Sequence, residues 1–373
     1  MTSTERVIAA LSFQGADYVP LSDAYWGITV QRWRERQGLP LRTGILPFDN
    51  VYDPEMNAYY GVDLIVVRAN DEFFPSRAKV VREEGNYRIM RDGWGRLLRS
   101  LNDGTKDKTL QVVLASKHDL DKVDFESPYD EGRYTSFLAQ LDQERSRPGG
   151  GACTVPRVGG PFLRCWWLRG EEQFLIDIAE DPNFVNELVG RVVDHRIAIG
   201  LEEMRRGNLY QVGLLIADDI AYNRGMFISP RTYQKLFLPH MARMVQAFKT
   251  AGAARILFHS DGDIRAMLDA FIEIGISAVH PVEPRAGMDI VELHQCYRDK
   301  LAFVGGLDNT GILPGGTCDE VRAHVLRVLQ AGQDGGVVIG SHSIGADISL
   351  ERYEFLHYLL MEYGRRPRPG TFL

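Results

Sequence analysis

The stretch RILFHSDG, residues 255–262, places a short apolar run directly before a histidine, a serine, an aspartate and a glycine. An apolar run that breaks into polar residues and glycine is typical of a buried parallel strand entering a loop. His259 and Asp261 are two residues apart, so in extended backbone their side chains leave on the same side. An imidazole and a carboxylate at a strand end can bind a metal or share a proton. The alternative is a capping aspartate beside a packed histidine.

Seven further apolar runs of this kind alternate with helical segments along the chain. The eight predicted strands lie at residues 19–23, 63–67, 152–160, 211–217, 256–258, 276–280, 301–304 and 336–340. This alternation predicts an α/β fold, the (β/α)8 TIM barrel, whose active site collects at the carboxyl ends of the strands.

Residues 78–100 have a different pattern, with alternating polar and apolar residues and turn signals at Glu84-Gly85 and Asp92-Gly93. A period of two predicts a β-meander, which we place as an insertion after strand two, at about residues 69–125. Residues 161–167 are expected to follow the third strand into the mouth of the barrel, and the next helix is expected to begin at Glu171. We see no linker or internal repeat and therefore expect a single domain over residues 1–373.

Composition and charge exclude several classes of partner. The net charge of −7 gives no reason to expect binding to nucleic acid or to an anionic membrane. Four cysteines without paired spacing fit a reducing, cytoplasmic environment. The N-terminus predicts a helix capped at Thr2 or Ser3 rather than a signal peptide, and no segment is apolar enough to span a membrane. Three arginines at positions 365, 366 and 368 predict a solvated basic tail.

Polar side chains follow the predicted strands, and the fold would bring them to one mouth: Asp23, Arg68, Arg164, Asp218, Asp219, His259, Asp261, Glu283, Asp308 and His342. Two histidines with several carboxylates form a donor set that suits zinc, iron or manganese. Structural interpretations remain open at several of these positions. Asp218 or Asp219 can cap a turn, Glu283 lies in a rigid loop between two prolines, and Asp308 suits an Asx turn.

The chain resembles the uroporphyrinogen decarboxylase superfamily, which also contains cobalamin-dependent methyltransferases. The matching segments lie between about residues 160 and 350 and read GPFLRCWWLRGEEQFLIDIAEDP, ADDIAYNRGMFISPRTYQKLFLPH, ILFHSDGDI, HPVEPRAGMDIVEL, LAFVGGLDNTGILPGGT and GSHSIGADIS. The resemblance implies a (β/α)8 barrel with its pocket at the carboxyl face, and it makes a homodimer an expectation.

Two departures from the family patterns divide the possible functions. The decarboxylases carry an arginine-rich stretch after strand one, but this chain reads LSDAYWGITV there and has no arginine until Arg32, which argues against a porphyrin substrate. The methyltransferases bind zinc through His-x-Cys and a distal cysteine. The matching positions here are His259, Asp261 and His342. A carboxylate and an imidazole thus replace the two thiolates, so the set can still bind a metal but its ligands are harder than cysteine sulfur.

Three hypotheses follow. In the first, a divalent metal binds to His259, Asp261 and His342, with Glu283 as a further ligand, and assists methyl transfer from a small substrate, such as a methoxylated aromatic. Zinc is the first choice of metal, with iron or manganese as alternatives, and the methyl acceptor is a corrinoid on a partner protein or a similar group. The expected substrate-binding residues are Tyr25, Trp26, Trp166, Asp218 and Tyr222. In the second, Asp219 with His259 or His342 protonates the carbanion left by decarboxylation of a small acid, without a cofactor. In the third, the barrel is a binding protein without activity.

Overall fold

The parallel strands form one curled sheet in the computed structural model, which describes residues 1–104 and 107–364. Its order along the sheet, from one edge to the other, is Val337–Gly340, Ala302–Gly306, Ala278–Val282, Ile256–His259, Leu214–Ala217, Cys153–Gly159 and Leu64–Val67. Every pairing in this sheet is parallel, so the carboxyl ends of all seven strands lie at one rim. The architecture is that of a TIM-like barrel. Seven of the predicted strands are confirmed, with ends shifted by a few residues.

The predicted first strand, residues 19–23, is wrong as a strand. Only Leu21 makes a bridge, to Ile339. The segment nevertheless joins the two edges of the sheet, because the Ser22 N–H donates to the carbonyl of Ile339 (2.9 Å) and the Leu64 N–H donates to that of Leu21 (3.0 Å). Pro20 has no N–H to donate, which shortens the ladder that this segment can form.

Helices cover the outside of the sheet. The α-helices span Ser3–Leu11, Gly27–Arg36, Pro54–Tyr59, Thr135–Arg145, Pro161–Arg169, Glu171–Glu180, Pro182–Gly207, Pro230–Leu236, Leu238–Thr250, Leu268–Ile274, Ile290–Cys296, Ile312–Gly315, Cys318–Gly332 and Leu350–Tyr363. None of these described helices combines the length and apolarity needed to cross a membrane. The expectation for residues 161–167 is wrong: they form a helix with proline at its first position, where a missing N–H has no cost.

A second sheet of four antiparallel strands lies between Leu64–Val67 and Cys153–Gly159 in the chain. Its strands are Lys79–Glu84, Tyr87–Arg91, Leu97–Leu101 and Lys108–Gln111, paired in sequence order. Two short antiparallel pairs lie outside these sheets: Tyr25–Trp26 pairs with Asn50–Val51 across the helix Gly27–Arg36, and Ala221–Tyr222 forms a hairpin with Gly225–Met226. The basic tail predicted at 365, 366 and 368 lies outside the described residues.

The N-terminal helix Ser3–Leu11 closes the bottom of the barrel. Thr2 caps it in a capping box with Glu5, as the sequence predicts. Its buried side chains Val7 and Leu11 belong to one cluster with inward-facing strand residues such as Leu257. Burial of an aliphatic side chain of this size contributes roughly 1.5–3 kcal/mol each. The end opposite the polar rim is therefore closed by apolar packing.

A buried ion pair attaches this helix to the sheet. Asp63 is 1% exposed and accepts hydrogen bonds from the Arg6 guanidinium (2.6 Å), the Ser3 hydroxyl (2.8 Å) and the Leu21 N–H (3.1 Å). Burial raises the pKa of Asp63, although Arg6 opposes this. The carboxylate thus depends on its donors to remain charged at this depth.

Replacing Arg6 by alanine should destabilise the protein by about 3–5 kcal/mol, because Asp63 would keep its burial and lose its cation. Chemical denaturation followed by circular dichroism measures this change. Arg36→Ala is the matched control, since Arg36 makes an exposed ion pair with Glu351, and it should cost about 0–1 kcal/mol. Equal unfolding midpoints for the two variants would show that the ion pair between Arg6 and Asp63 does not stabilise the fold.

Candidate functional site

Two imidazoles and a carboxylate meet at the polar rim of the barrel. His259 is the last residue of Ile256–His259, Asp261 lies two residues further on, and His342 follows the strand Val337–Gly340. Asp261 Oδ1 lies 3.4 Å from His342 Nε2 and 3.7 Å from His259 Nε2, and the two rings are 5.6 Å apart. These three side chains are the group of candidate metal ligands found within the described residues.

The geometry and the donor set fit a divalent metal. Metal–ligand bonds of roughly 2.0–2.2 Å in a tetrahedral site separate ligand atoms by roughly 3.3–3.6 Å, close to the spacing observed here. Asp261 Oδ1 is buried and has no hydrogen-bond partner among the described residues. Burial raises the pKa of Asp261 to about 6 against the opposing effect of His342, and Asp219 and Glu283 raise it further. A cation would satisfy this oxygen and offset the repulsion.

His280 supports His259 from behind, and sequence reasoning missed it. The two Nδ1 atoms are 2.7 Å apart, so one ring donates a hydrogen bond and the other accepts it. Burial lowers the pKa of His280 to about 3 and that of His259 well below its usual value, so both rings are neutral at pH 7. Neutral imidazole is the form that ligates metals, and an Nδ1 partner fixes which nitrogen is free to do so. The signal for His280 was its two-residue spacing from the inward-facing Ala278.

Glu283 lies at the edge of the cluster, on the far side of His342. Its Oε2 accepts a hydrogen bond from the Gly262 N–H (2.7 Å), and its Oε1 is 3.8 Å from His342 Nδ1. The nitrogen of His342 that faces Asp261 is the other one, Nε2. Glu283 therefore holds the loop that carries Asp261 and orients the His342 ring, and it is not among the three atoms that converge.

Asp218 and Asp219 are adjacent in the chain but face different surroundings. Asp218 is fully buried and accepts hydrogen bonds from the Phe162 and Leu163 N–H groups (2.8 Å each), so it caps the helix Pro161–Arg169. Burial raises its pKa to about 7. Asp219 Oδ1 lies 3.5 Å from His259 Nε2 and accepts from the Asp261 N–H (3.3 Å). Asp219 thus belongs to the cluster, whereas Asp218 supports a helix behind it.

The four aromatic residues expected near the substrate do not form one surface. Tyr25 is 1% exposed, and its hydroxyl pairs with that of Tyr353 in the core. The Trp26 indole donates to the Ser343 hydroxyl (3.1 Å), directly after His342. Trp166 and Tyr222 both flank Phe227, with ring centroids 5.3 and 5.7 Å from it.

The hairpin that carries Tyr222 packs against the loop that carries Asp261. The Asp263 N–H donates to the Tyr222 carbonyl (3.1 Å). At Gly262, where φ is +82°, a Cβ would lie 2.5 Å from the Tyr222 backbone nitrogen, so only glycine allows this contact. The half-exposed Tyr222 ring therefore stands beside the cluster.

Two of the remaining carboxylates of the predicted mouth stabilise loops, and Arg164 packs between aromatic rings. Asp308 accepts from the Thr310 and Gly311 N–H groups, which confirms the Asx-turn interpretation. Asp23 is buried and accepts from the Ser341 N–H and hydroxyl (2.7 Å each), and burial raises its pKa to about 6. Arg164 is buried between the rings of Trp94 and Trp167, 4.4 Å from each centroid.

A cavity of about 380 Å³ adjoins the cluster at Glu283. Its lining is polar, and it comes from three loops at the same rim: Asn223, Glu283, Pro284, Arg285, Asp308, Asn309 and Thr310. Small ligands occupy concave sites with a few convergent polar groups. The cavity shares Glu283 with the surroundings of the cluster, because Glu283 Oε1 lies 3.8 Å from His342 Nδ1.

Asp218→Ala should destabilise the protein by about 1–3 kcal/mol, because two buried N–H groups lose their acceptor. Asp219→Ala should leave stability within about 0.5 kcal/mol, because its carboxylate is half-exposed at the rim. Thermal denaturation of the two variants in parallel measures the difference. An equal loss for both would contradict the division of roles.

Comparisons with known proteins agree with this fold. The sequence model of the family described as uroporphyrinogen decarboxylase (URO-D) matches residues 104–363, more than half of the chain. No curated protein matches the sequence.

Two solved structures match over nearly the whole chain, and the first of them shares the fold. A methyltransferase from Methanosarcina mazei matches with a TM-score of 0.67 and 15% identity, over 97% of this chain and 99% of that one. A B12-independent methionine synthase from Shewanella sp. W3-18-1, in complex with selenomethionine, matches with a TM-score of 0.39 and 10% identity, over 95% of each chain. At these identities the likeness concerns the fold alone. From the family match and the barrel, the chain belongs to the uroporphyrinogen decarboxylase family.

Proposed function

We propose that the protein is a metal-dependent methyltransferase that moves a methyl group from an oxygen of a small substrate to a corrinoid or similar acceptor on a partner protein. The observation that carries the proposal is the Asp261 oxygen that lacks a hydrogen-bond donor and lies between the imidazoles of His259 and His342. The methyltransferase from Methanosarcina mazei, which has the same fold, supports the choice of reaction class.

His259, Asp261 and His342 would hold the metal. One nitrogen from each histidine and one carboxylate oxygen suit zinc first, and iron or manganese as alternatives. When bound there, a divalent metal supplies a Lewis acid for a substrate oxygen. Three protein ligands leave a position for that oxygen, as in other catalytic zinc sites.

The chain's own residues would position the substrate and manage its proton. Asp219 lies beside His259 with a side chain that is 36% exposed, so it would pass a proton from solvent to the demethylated oxygen. Trp26 and Tyr222 stand on either side of the cluster and would contact a flat substrate. Tyr25, Trp166 and Asp218 would not contact the substrate. They would affect its binding only by packing against or hydrogen-bonding to Tyr353, Phe227 and the start of the helix Pro161–Arg169, respectively.

A cofactor-free decarboxylase is the second candidate, and the description of the family favours it. In that reaction Asp219 with His259 or His342 would protonate the carbanion left when carbon dioxide departs. The neutral state of His259 weighs against it as the donor, because burial and its histidine neighbours keep its pKa well below neutrality. Release of carbon dioxide without metal would identify this reaction, whereas acceptor-dependent demethylation would identify the first.

Purified protein should contain close to one transition metal ion per chain, measured by elemental analysis. His259→Ala and His342→Ala should lose it, and Asp261→Asn should bind it more weakly with an unchanged circular dichroism spectrum. His240→Ala is the control, because His240 contacts Asn186 on an outer helix. Fully active protein without metal would end the proposal.

His280→Ala should lower metal affinity by about 10–100-fold and leave the fold intact, since His259 would lose the partner that orients its ring. Competition with a chelating dye measures the affinity. Affinity equal to that of the unmodified protein would show that the contact between the two rings has no role in ligation.

A further inference from the structure

We propose that Arg157, with Arg68 beside it, forms a subsite for an anionic group of the substrate, a carboxylate or a phosphate, across the barrel mouth from the histidines. This inference rests on the proposed function for the position of the reacting atom. It adds the place in the barrel mouth where an anionic group of the substrate binds, which neither the sequence motifs nor the family match assigns.

Arg157 faces the inside of the barrel. It lies on the strand Cys153–Gly159, where Cys153 and Val155 belong to the apolar cluster inside the sheet, with Leu215 and Leu257 of the neighbouring strands. Successive side chains alternate between the two faces of a strand, so Arg157 continues this inward row toward the rim.

The register of the sheet puts Arg157 level with His259. The hydrogen-bonded pairing leads from His259 over three strand-to-strand steps to about Val338 on the strand Val337–Gly340. The residue of that segment whose ring lies near His259 is His342, which is four residues closer to the carboxyl end. Because barrel strands tilt relative to the barrel axis, residues at the same height along that axis are offset from the hydrogen-bonded pairs by about one residue per strand. In the opposite direction around the sheet, His259 pairs with Ala217, and Ala217 pairs with Gly159. An offset of one residue for each of these two strands leads from Gly159 back to Arg157.

Arg157 is half-buried and has no ion pair or hydrogen bond with the residues that the structure describes, whereas other buried arginines have one. Arg196 pairs with Asp71 at 3.0 Å and Arg169 with Asp177 at 2.6 Å. A half-buried guanidinium without an acceptor is costly, and five N–H donors remain for a ligand.

A second cation stands beside it. Arg68 follows the strand Leu64–Val67, and the pairing of Val67 with Pro156 makes Arg68 and Arg157 neighbours on adjacent strands. Burial, then the charges of Arg68 and Arg164, lowers the pKa of Arg157 to about 10, so it stays cationic at neutral pH. The charges of Asp71 and Asp219 oppose this lowering, but Asp71 is paired with Arg196 at 3.0 Å, and neither carboxylate forms an ion pair with Arg157 among the described residues. The repulsion between the two arginines is therefore only partly offset, and a bound anion would reduce it further.

The chemistry selects the ligand class. Guanidinium groups bind carboxylate and phosphate through two parallel hydrogen bonds, with geometry that neutral groups do not match. A small organic anion held by Arg157 would direct its other end toward His259 and Asp261. Binding there fixes which atom of the substrate reaches the candidate metal ligands.

The test is isothermal titration of the purified full-length protein with benzoate, phenyl phosphate and the neutral isostere benzamide. At least one anion should bind about tenfold or more tightly than benzamide, as expected for a hydrogen bond to a charged group. The preferred anion identifies the group as carboxylate or phosphate. Arg157→Gln should abolish the preference, Arg157→Lys should keep part of it, and Arg243→Gln, on an outer helix, should keep all of it.

Equal binding of all three probes, no binding of either anion, or a preference that survives Arg157→Gln would overturn the inference. Thermal denaturation establishes that the variants are folded, and Arg157→Lys keeps the charge if glutamine is not tolerated. Metal content is measured on the same samples. Protein that binds metal but shows no anion preference contradicts this inference alone, whereas anion preference without metal contradicts the proposed function alone.

Discussion

The parallel hydrogen-bond ladder of the barrel sheet is the constraint on which the site depends. Ala217 pairs with His259, and His259 pairs with His280, so the register between three neighbouring strands fixes which side chains reach the rim together. A shift of one residue in any of these strands would turn its inward side chains to the outer face. Apolar packing of the N-terminal helix at the opposite end maintains this register, because the inward-facing rows run continuously from that helix to the rim.

Burial at the rim separates carboxylates that support the fold from those that are available for chemistry. Asp218, Asp23 and Asp308 each accept hydrogen bonds from backbone N–H groups, so their charge or dipole is already used in holding loops and a helix end. Asp261 differs, because one of its oxygens is buried without a donor. An unsatisfied buried acceptor next to two imidazole nitrogens is costly in an isolated protein and favourable when a cation binds.

The mouth of the barrel is polarised across its width. The candidate metal ligands lie on the side of His259 and His342, while Arg157 and Arg68 lie on the side of the strands Cys153–Gly159 and Leu64–Val67, where the buried Asp71 accepts a hydrogen bond from the Gly159 N–H. A substrate in this mouth would meet candidate metal ligands at one end and cations at the other. The lack of arginine after the first predicted strand therefore does not leave the mouth without positive charge, since two other strands provide it.

The sequence by itself determined the alternation of apolar runs and helices, and with it the barrel, seven of its strands and the rim at which His259, Asp261 and His342 meet. This was possible because strand period and strand-end polarity are local properties of the chain. Only the tertiary structure decided that Asp218 caps a helix while Asp219 faces the cluster, that Tyr25 belongs to the core, and that His280 and Arg157 face the site. Those assignments depend on register and strand tilt, which arise from contacts between segments far apart in the chain, and no local pattern encodes them.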